Sequence, residues 1–303
     1  MSDLATTNVL VLGHGEMGRG MEGLLAGRTA LSIWDKFPQA GFRSVVLAEA
    51  APRADVAIFC LPTVPHGSVL RELLPLLRPG CICLSVAKGL DDEGRPVAQI
   101  FADLLGDRFA YGVLHGPMIA EEIQAGGLAF AQLGHRGAGV VERVLPLFAG
   151  TRLKVMPVAD MTGVNWAVIL KNVYTLAFGM ADELGLGDNV RGWLAVAALA
   201  EMDTLVRRLG GAPGTVQGLA GLGDLVTTAT SDHSHHRELG RRLARGDAGH
   251  GPAGLVGEAI HTLAVIGRNR ALDLAGLPLF GLIARVVGDR ADPRSSLEEL
   301  LNR

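Results

Sequence analysis

The segment that most constrains the fold is GHGEMG at Gly13–Gly18, which directly follows the short apolar run NVLVL. Its three glycines have the spacing that a dinucleotide-binding βαβ unit uses for a tight turn and for close approach of the backbone to a pyrophosphate. A helix beginning at this turn would present its unpaired N–H groups and its dipole to the phosphates. Asp35 ends the next apolar run, 20 residues after Gly15, where an acid accepts hydrogen bonds from an adenosine ribose. The segment predicts a site for NAD, with NADP not excluded because Lys36 and Arg43 lie close by in the sequence.

Five apolar runs alternate with helical segments in the first half of the chain, and each is typical of a strand buried on both faces. The runs are Asn8–Gly13, Ala30–Asp35, Val56–Pro62, Cys81–Ala87 and Ala110–Pro117. This order predicts an α/β N-terminal Rossmann domain, with a doubly wound, mostly parallel sheet, over residues 1–157.

From about Asp160 the sequence changes to long runs rich in Ala, Leu and Val. The runs at 163–185 and 190–211 are each long enough to be a core helix, and glycines end them as C-terminal caps. This half therefore predicts an all-α C-terminal domain over residues 158–303.

The composition excludes several classes of protein. The formal net charge of −3 shows no basic bias, so we expect no nucleic-acid partner. No apolar run reaches the roughly 18–20 residues that a membrane helix needs, and the N-terminus lacks a signal-peptide pattern. The three cysteines lie in apolar runs, as in proteins of a reducing compartment, so we expect a cytoplasmic location.

Three charged residues stand where the surrounding pattern is apolar or glycine-rich. Lys88 follows the fourth apolar run, at the kind of strand end where such sheets bind ligands. Lys171 lies within the apolar stretch WAVILKNVYTL and must extend to solvent, pair with an acid or face a cleft. Asp224 sits in GLGDL, after glycines that permit an unusual backbone path. A solvated position is the simpler explanation for one such lysine, but several together in a dinucleotide-binding chain favour a shared site.

With these residues in place, the chain resembles the NAD(P)-dependent glycerol-3-phosphate dehydrogenase family. The motifs occur in family order over nearly the whole chain. They are AKGL at 87–90, GPMIAEE at 116–122, GVNWAVILKNV at 163–173, GLGDN at 185–189, GLAGLGDLVTT at 218–228, LVGEA around Glu258 and the terminal SSLEELLNR.

The resemblance implies a Rossmann domain followed by a helical domain, with a small phosphorylated or otherwise anionic substrate held between them, and a homodimer. It makes Lys171 the proton donor and acceptor, Asp224 the residue that orients it, and Lys88 the group that polarises the substrate oxygen. The predicted cofactor-binding residues are Gly13, Gly15, Glu16, Met17, Gly18, Asp35, Lys36, Lys88, Ala120, His235, Val256 and Glu258. The predicted substrate-binding residues are Lys88, Gly116, Met118, Lys171, Asp224, Thr228, Ser234, His235 and His236.

The segment SDHSHH at 231–236 departs from the family pattern. Where the resemblance implies a Ser-Arg-Asn sequence that grips the substrate phosphate, this chain has Ser234, His235 and His236. An imidazole, unlike a guanidinium, is mostly neutral at pH 7, so we expect affinity for an anion to weaken as the pH rises. Metal binding by Asp232 and the histidines is the less favoured alternative, because one short loop cannot place all these imidazoles around one ion without strain.

Further departures are His115 in place of a serine, Glu121 in place of a residue that is often basic, and a shortened connection from Asp35 to Val56. The leading interpretation is an NAD-linked dehydrogenase that interconverts sn-glycerol 3-phosphate and dihydroxyacetone phosphate. One alternative is the same hydride chemistry on another small hydroxy compound, such as a hydroxy acid. Another is a non-catalytic NAD-binding regulator. The presence of both lysines and the aspartate argues against it, because a protein that only binds a nucleotide has no evident need for all three.

Overall fold

The computed structural model describes residues 6–247, 256–269 and 271–302. The chain divides between Met161 and Thr162 into two compact units, called here unit 1 and unit 2. The domain boundary predicted at residues 157 and 158 stays a prediction.

Unit 1 contains a seven-stranded sheet with the order β2-β1-β3-β4-β5-β6-β7. The strands are β1 Asn8–Leu12, β2 Ala30–Trp34, β3 Val56–Phe59, β4 Ile82–Ser85, β5 Ala110–His115, β6 Ala129–Arg136 and β7 Leu153–Val158. All neighbouring strands are parallel except β5 and β6, which are antiparallel. Since β1 lies between β2 and β3, the strand order reverses beside β1, and ligands of such sheets bind outside the strand ends at this kind of switch point.

The helices of unit 1 cover the sheet because its central strands are apolar on both faces. They are α1 Glu16–Leu25, α2 Leu47–Ala50, α3 His66–Leu73, α4 Val97–Leu105, α5 Ala120–Gln124 and α6 Val140–Phe148. Met21 and Leu25 of α1 and Leu147 of α6 pack with Val11 and Ile58 in one buried cluster. This packing fixes the start of α1 directly after β1, which is the position that the glycine turn requires.

Unit 2 consists of helices, with short 3₁₀ and π turns before Asp224. The helices are α7 Met161–Glu183, α8 Gly187–Arg208, α9 Asp224–Thr230, α10 His235–Ala244, α11 Val256–Arg268, α12 Pro278–Gly288 and α13 Pro293–Leu301. Every residue of α7 from 163 to 181 is buried, as expected for a helix that is apolar around its whole circumference. In the described part of the chain, no helix is both long and apolar enough to span a bilayer.

The predicted fold class is confirmed, and each of the five predicted runs contains an observed strand. Strands β6 and β7 were not predicted. The sequence of β6, AFAQLGHR, mixes polar residues and glycine into a strand that pairs antiparallel with β5. Strand β7 is an edge strand, and its Lys154 and Pro157 obscure the strand pattern while discouraging pairing with another chain.

Candidate functional site

The glycine turn between β1 and α1 needs its glycines for two different reasons. Gly13 has φ of +100°, and a Cβ there would lie 2.7 Å from the carbonyl oxygen of Cys60. A Cβ on Gly18 would lie 2.0 Å from the carbonyl oxygen of Gly13, so this glycine lets α1 pack on the turn. At Gly15, by contrast, a Cβ would meet no described atom within 4 Å. The first two glycines make room for the chain, whereas Gly15 borders open space.

The N-terminus of α1 faces this open space with its backbone. Glu16 and Met17 are the first residues of the helix, and among the described residues no side chain caps it at Gly15. The N–H groups of the first turn and the helix dipole are therefore available to an anion. The space at Gly15 and the uncapped helix fit the pyrophosphate of a dinucleotide, as predicted for Gly13, Gly15 and Gly18.

Asp35 follows β2 and lies beside the same turn. Its Oδ2 accepts a hydrogen bond from the backbone N–H of His14 at 2.6 Å, and its Oδ1 accepts one from the backbone N–H of Phe37 at 2.8 Å. A carboxylate can accept about four hydrogen bonds, so both oxygens retain capacity for ribose hydroxyls. Lys36 is exposed next to it. This geometry fits the ribose role predicted for Asp35.

The remaining predicted residues of unit 1 lie at or after the carboxyl ends of β4 and β5. Lys88 is partly buried, and its Nζ donates to the carbonyl oxygen of Gly116 at a distance of 3.5 Å. Met118 is buried, and Ala120 is the first residue of α5. Lys88 and Gly116 are therefore brought together within unit 1, as members of one ligand site would be.

In unit 2 the structure brings together Lys171, Asp224 and Thr228. The Nζ of Lys171 lies 2.9 Å from Oδ2 of Asp224 and donates to Oγ1 of Thr228 at 2.5 Å. The Thr228 hydroxyl in turn donates to the backbone carbonyl of Asp224 at 2.6 Å. Lys171 is only 4% exposed and Asp224 only 2%. Because two buried charges are costly unless they pair closely, this pair indicates a site that needs a cation at a fixed position.

A π-type turn, Leu219–Gly223, presents Asp224 to the lysine. The backbone N–H of Gly223 donates to the carbonyl of Gly218 at 3.1 Å, which is the wide hydrogen bond of this turn. A Cβ on Gly221 would lie 2.0 Å from the carbonyl oxygen of Val216, so only glycine allows the two segments to approach this closely. Asp224 then opens α9, where the helix dipole favours a carboxylate.

The predicted anion-binding residues lie at the start of α10. Ser234 caps this helix, and its Oγ accepts a hydrogen bond from the backbone N–H of Arg237 at 3.1 Å. His235 is exposed, whereas His236 is buried. Arg237 is held by Asp182 of α7, with Nε 2.5 Å from Oδ2. Since its guanidinium also donates to Thr230, Ser231 and Asp232, Arg237 anchors the loop and is not a candidate for anion binding.

Two predicted positions lie on α11, where Glu258 is partly buried. The side chain of Val256 falls outside the described residues, so its predicted cofactor contact cannot be placed. Within the described ranges, no three His, Cys, Asp or Glu side chains form a group that could hold a metal ion.

The structure also shows buried polar groups that were not among the predicted site residues. Asn165 and Asn172 are buried on α7 together with Lys171. The sequence feature that could have identified them is their position within a run of apolar residues. Glu201 accepts hydrogen bonds from the Tyr174 hydroxyl and from two backbone N–H groups at the start of α12. Burial raises the pKa of Glu201, and these hydrogen bonds oppose the rise. This carboxylate joins α7, α8 and α12.

Comparison with known proteins agrees with this geometry. A family model described as the NAD-dependent glycerol-3-phosphate dehydrogenase C-terminus matches residues 160–298, and the model of the N-terminus of that enzyme matches residues 35–135. A glycerol-3-phosphate dehydrogenase (NAD(P)+) of Nitratidesulfovibrio vulgaris is 32% identical over 323 residues, covering 97% of this chain and 98% of the relative. The enzyme of the same name from Deinococcus radiodurans is 35% identical over 257 residues, covering 85% and 76%.

Among solved structures, a glycerol-3-phosphate dehydrogenase from Coxiella burnetii superposes with a TM-score of 0.84 and 25% identity, covering 98% of this chain and 99% of that one. A ketopantoate reductase from Ralstonia eutropha, at 16% identity and a TM-score of 0.59, shares the fold alone. The chain therefore belongs to the NAD-dependent glycerol-3-phosphate dehydrogenase family.

Proposed function

We propose that the protein catalyses the NAD(P)-dependent interconversion of sn-glycerol 3-phosphate and dihydroxyacetone phosphate. The observation that carries this proposal is the buried pair of Lys171 and Asp224 in a member of this enzyme family. A protein that only bound a nucleotide would have no need for this costly ion pair in its helical unit.

The cofactor would be held by the glycine turn and by Asp35. The N–H groups at the start of α1 would bind the pyrophosphate, and the open space at Gly15 would admit it. Asp35 would accept hydrogen bonds from the ribose, which favours NAD over NADP because a carboxylate repels a 2′-phosphate. When bound, the nicotinamide supplies or accepts the hydride. The cofactor contacts predicted for the remaining residues stay predictions: Glu16, Met17, Lys36, Lys88, Ala120, His235, Val256 and Glu258.

Lys171 would supply the proton for reduction and take it back in the reverse direction. As a carbonyl carbon gains hydride, its oxygen gains negative charge, and the ammonium group donates a proton to form the hydroxyl. Asp224 and Thr228 hold Nζ from two sides, so the proton is presented from a fixed point. Lys88 would stabilise the same developing charge as a second cation.

Recognition of the anionic end of the substrate is assigned to Ser234, His235 and His236, with Gly116 and Met118 lining the substrate. An imidazole N–H can donate a hydrogen bond to a phosphate oxygen, so this histidine pair can contact the anion where the family has an arginine and an asparagine.

A substrate panel tests the proposal. Purified protein is mixed with NADH or NADPH and with dihydroxyacetone phosphate, dihydroxyacetone or a small 2-keto acid, and coenzyme oxidation is followed at 340 nm. We expect rapid oxidation only with the phosphorylated ketone. Turnover of a non-phosphorylated compound in its place would contradict the substrate assignment, and no turnover of any compound despite coenzyme binding would favour a regulator.

We also propose a homodimer, supported by one face of α8. Val196 is 72% exposed and Trp193 is 41% exposed, and because they are three residues apart on this helix they form one apolar patch that a second copy could cover. Val196→Asp with Trp193→Ser should convert a dimer to a monomer in size-exclusion chromatography with light scattering. A wild-type monomer would contradict the proposal. The cytoplasmic location stays a prediction.

A further inference from the structure

A chain of buried hydrogen bonds joins the ends of β3 and β4 in unit 1. His66, the first residue of α3, is fully buried, and its Nδ1 lies 2.8 Å from the carbonyl oxygen of Pro62. Its Nε2 lies 2.8 Å from Oγ of Ser85, the last residue of β4, which is also fully buried. The Ser85 Oγ accepts a further hydrogen bond from the backbone N–H of Ala87 at 3.1 Å.

The direction of every hydrogen bond in this chain is determined. Burial lowers the pKa of His66 to about 4, although backbone hydrogen bonds oppose the shift, so the ring is neutral at working pH and carries one N–H. The Pro62 carbonyl can only accept, and therefore Nδ1 donates and Nε2 accepts. The Ser85 hydroxyl must then donate to Nε2, which leaves its oxygen free to accept from Ala87.

The imidazole ring is also fixed by its surroundings. Its centroid lies 5.3 Å from that of Phe59 in a stacked arrangement and 6.2 Å from that of Phe101. An apolar side chain would suit such neighbours better, because a buried polar group costs free energy unless all its hydrogen bonds are made. Packing alone therefore does not explain why a histidine and a serine occupy these buried positions.

Lys88 directly follows Ala87, the last residue in this series of hydrogen bonds. Ser85 and Ala87 set the backbone path of the turn that carries Lys88, while the Nζ of Lys88 reaches the carbonyl of Gly116 after β5. The strands β3, β4 and β5 are neighbours in the sheet. His66 and Ser85 connect the carboxyl ends of β3 and β4, and Lys88 connects the carboxyl ends of β4 and β5.

We propose that His66 and Ser85 are positioning residues that fix the turn carrying Lys88 and thereby the place of its ammonium group. The inference rests on the polarising role proposed for Lys88. It does not require that His66 or Ser85 touch the substrate or exchange a proton.

Two substitutions of His66 test separately the hydrogen bond to Pro62 and the hydrogen bond from Ser85. In His66→Gln the side-chain oxygen can take the place of Nε2 and accept from Ser85, whereas in His66→Asn the amide can replace only the Nδ1 donor to Pro62. Ser85→Ala removes the link itself. Ser68→Ala, in the same helix α3, is the matched control, because the Ser68 hydroxyl bonds only locally to Pro65 among the described residues.

We expect Ser85→Ala and His66→Asn to lower kcat with dihydroxyacetone phosphate about 10-fold to 100-fold, since a displacement of about 1 Å in a reacting group has such effects. His66→Gln should stay within about threefold of wild type, and Ser68→Ala should be unchanged. The Kd for NADH should change much less than kcat in every variant, because the glycine turn and Asp35 are untouched and Lys88 is only one of the predicted cofactor contacts.

A double-mutant cycle with Lys88→Met distinguishes positioning from general damage. If Ser85 acts through Lys88, Ser85→Ala should cost nothing further in the Lys88→Met background. Losses in kcat that add independently would overturn the inference.

Hydrogen exchange of the peptide covering residues 85–90 provides a readout that needs no substrate. It should speed up in Ser85→Ala and His66→Asn and stay near wild type in His66→Gln. Unchanged exchange in the first two variants would overturn the inference. If wild type does not reduce dihydroxyacetone phosphate, the proposed function fails, while exchange still decides whether His66 and Ser85 hold the Lys88 turn.

Discussion

The two glycine-rich turns of the molecule look alike in sequence but differ at one glycine. A Cβ on Gly15 would occupy open space, whereas a Cβ on Gly221 would collide with the Val216 carbonyl at 2.0 Å. The turn of unit 1 packs closely at Gly13 and Gly18 but leaves space at Gly15 for a ligand, whereas Gly221 in unit 2 makes room only for the chain itself.

Each turn also has its own carboxylate, and the two carboxylates differ in their exposure and in their capacity to bind a ligand. Asp35 is partly exposed and accepts hydrogen bonds from the backbone of its turn, with capacity for a ligand. Asp224 is almost fully buried and is committed to Lys171. The difference supports the proposal that the turn of unit 1 binds the cofactor and that the turn of unit 2 holds Lys171 in a fixed position.

The largest effect should come from Lys171. Lys171→Met should lower kcat about 1,000-fold, because loss of a positioned acid–base group removes about 10²-fold to 10⁴-fold in rate. Fluorescence titration should show a Kd for NADH within about threefold of wild type, since the glycine turn lies in unit 1. Lys171→Arg, which keeps the charge beside Asp224 but holds its proton too tightly, separates loss of chemistry from loss of folding. Near-normal kcat in either variant would remove Lys171 from the mechanism.

Gly221→Ala should be the next largest. The new Cβ forces the Val216 and Gly221 segments apart, so we expect a loss of about 2–3 kcal/mol in the free energy of unfolding and a fall in kcat. Urea unfolding and steady-state kinetics measure the two effects. Gly192→Ala on α8 is the matched control, because a Cβ there meets no described atom within 4 Å and should leave stability the same or slightly higher. Equal stability of both variants would contradict the close-packing role.

Gly15→Ala should show the reverse pattern. The backbone at Gly15, with φ of −71° and ψ of −161°, suits any residue, so thermal unfolding should be unchanged. The Cβ would enter the space assigned to the pyrophosphate, and the Kd for NADH should rise about tenfold or more. Gly23→Ala within α1, which also meets open space within the described residues, should leave NADH affinity unchanged and stability the same or slightly higher. A loss of stability without a loss of NADH affinity would show that Gly15, like Gly221, is needed for packing of the chain and not for the ligand.

Local sequence patterns predicted the parts of this molecule that depend on neighbouring residues. The turn at 13–18, its strand and its helix lie within about 20 residues, so periodicity and glycine spacing were enough. The isolated Lys171 and Asp224 were recognisable as unusual charges, but their pairing joins residues 53 positions apart and depended on family resemblance before the structure showed it.

What the sequence could not predict depends on tertiary contacts. His66 and Ser85 looked like ordinary residues of a helix start and a strand, and only the parallel pairing of β3 with β4 brings them within hydrogen-bonding distance. Arg237 directly follows the predicted anion-binding histidines in the sequence, but its contact with Asp182 on α7 commits it to holding the loop. Strand β6 was missed because its antiparallel partner, β5, makes up for a sequence with weak strand character.

The smallest expected effect concerns the choice of coenzyme at Asp35. Asp35→Asn removes the negative charge while keeping an oxygen that can accept from His14 or Phe37, so thermal unfolding should shift by only a few degrees. Without the charge, the 2′-phosphate is no longer repelled, and the nearby cations Lys36 and Arg43 can attract it. We expect kcat/KM for NADPH relative to NADH to rise about tenfold, which corresponds to about 1.4 kcal/mol. If the ratio of the two coenzymes does not change, Asp35 serves only to hold the turn, and its carboxylate is not a ligand contact.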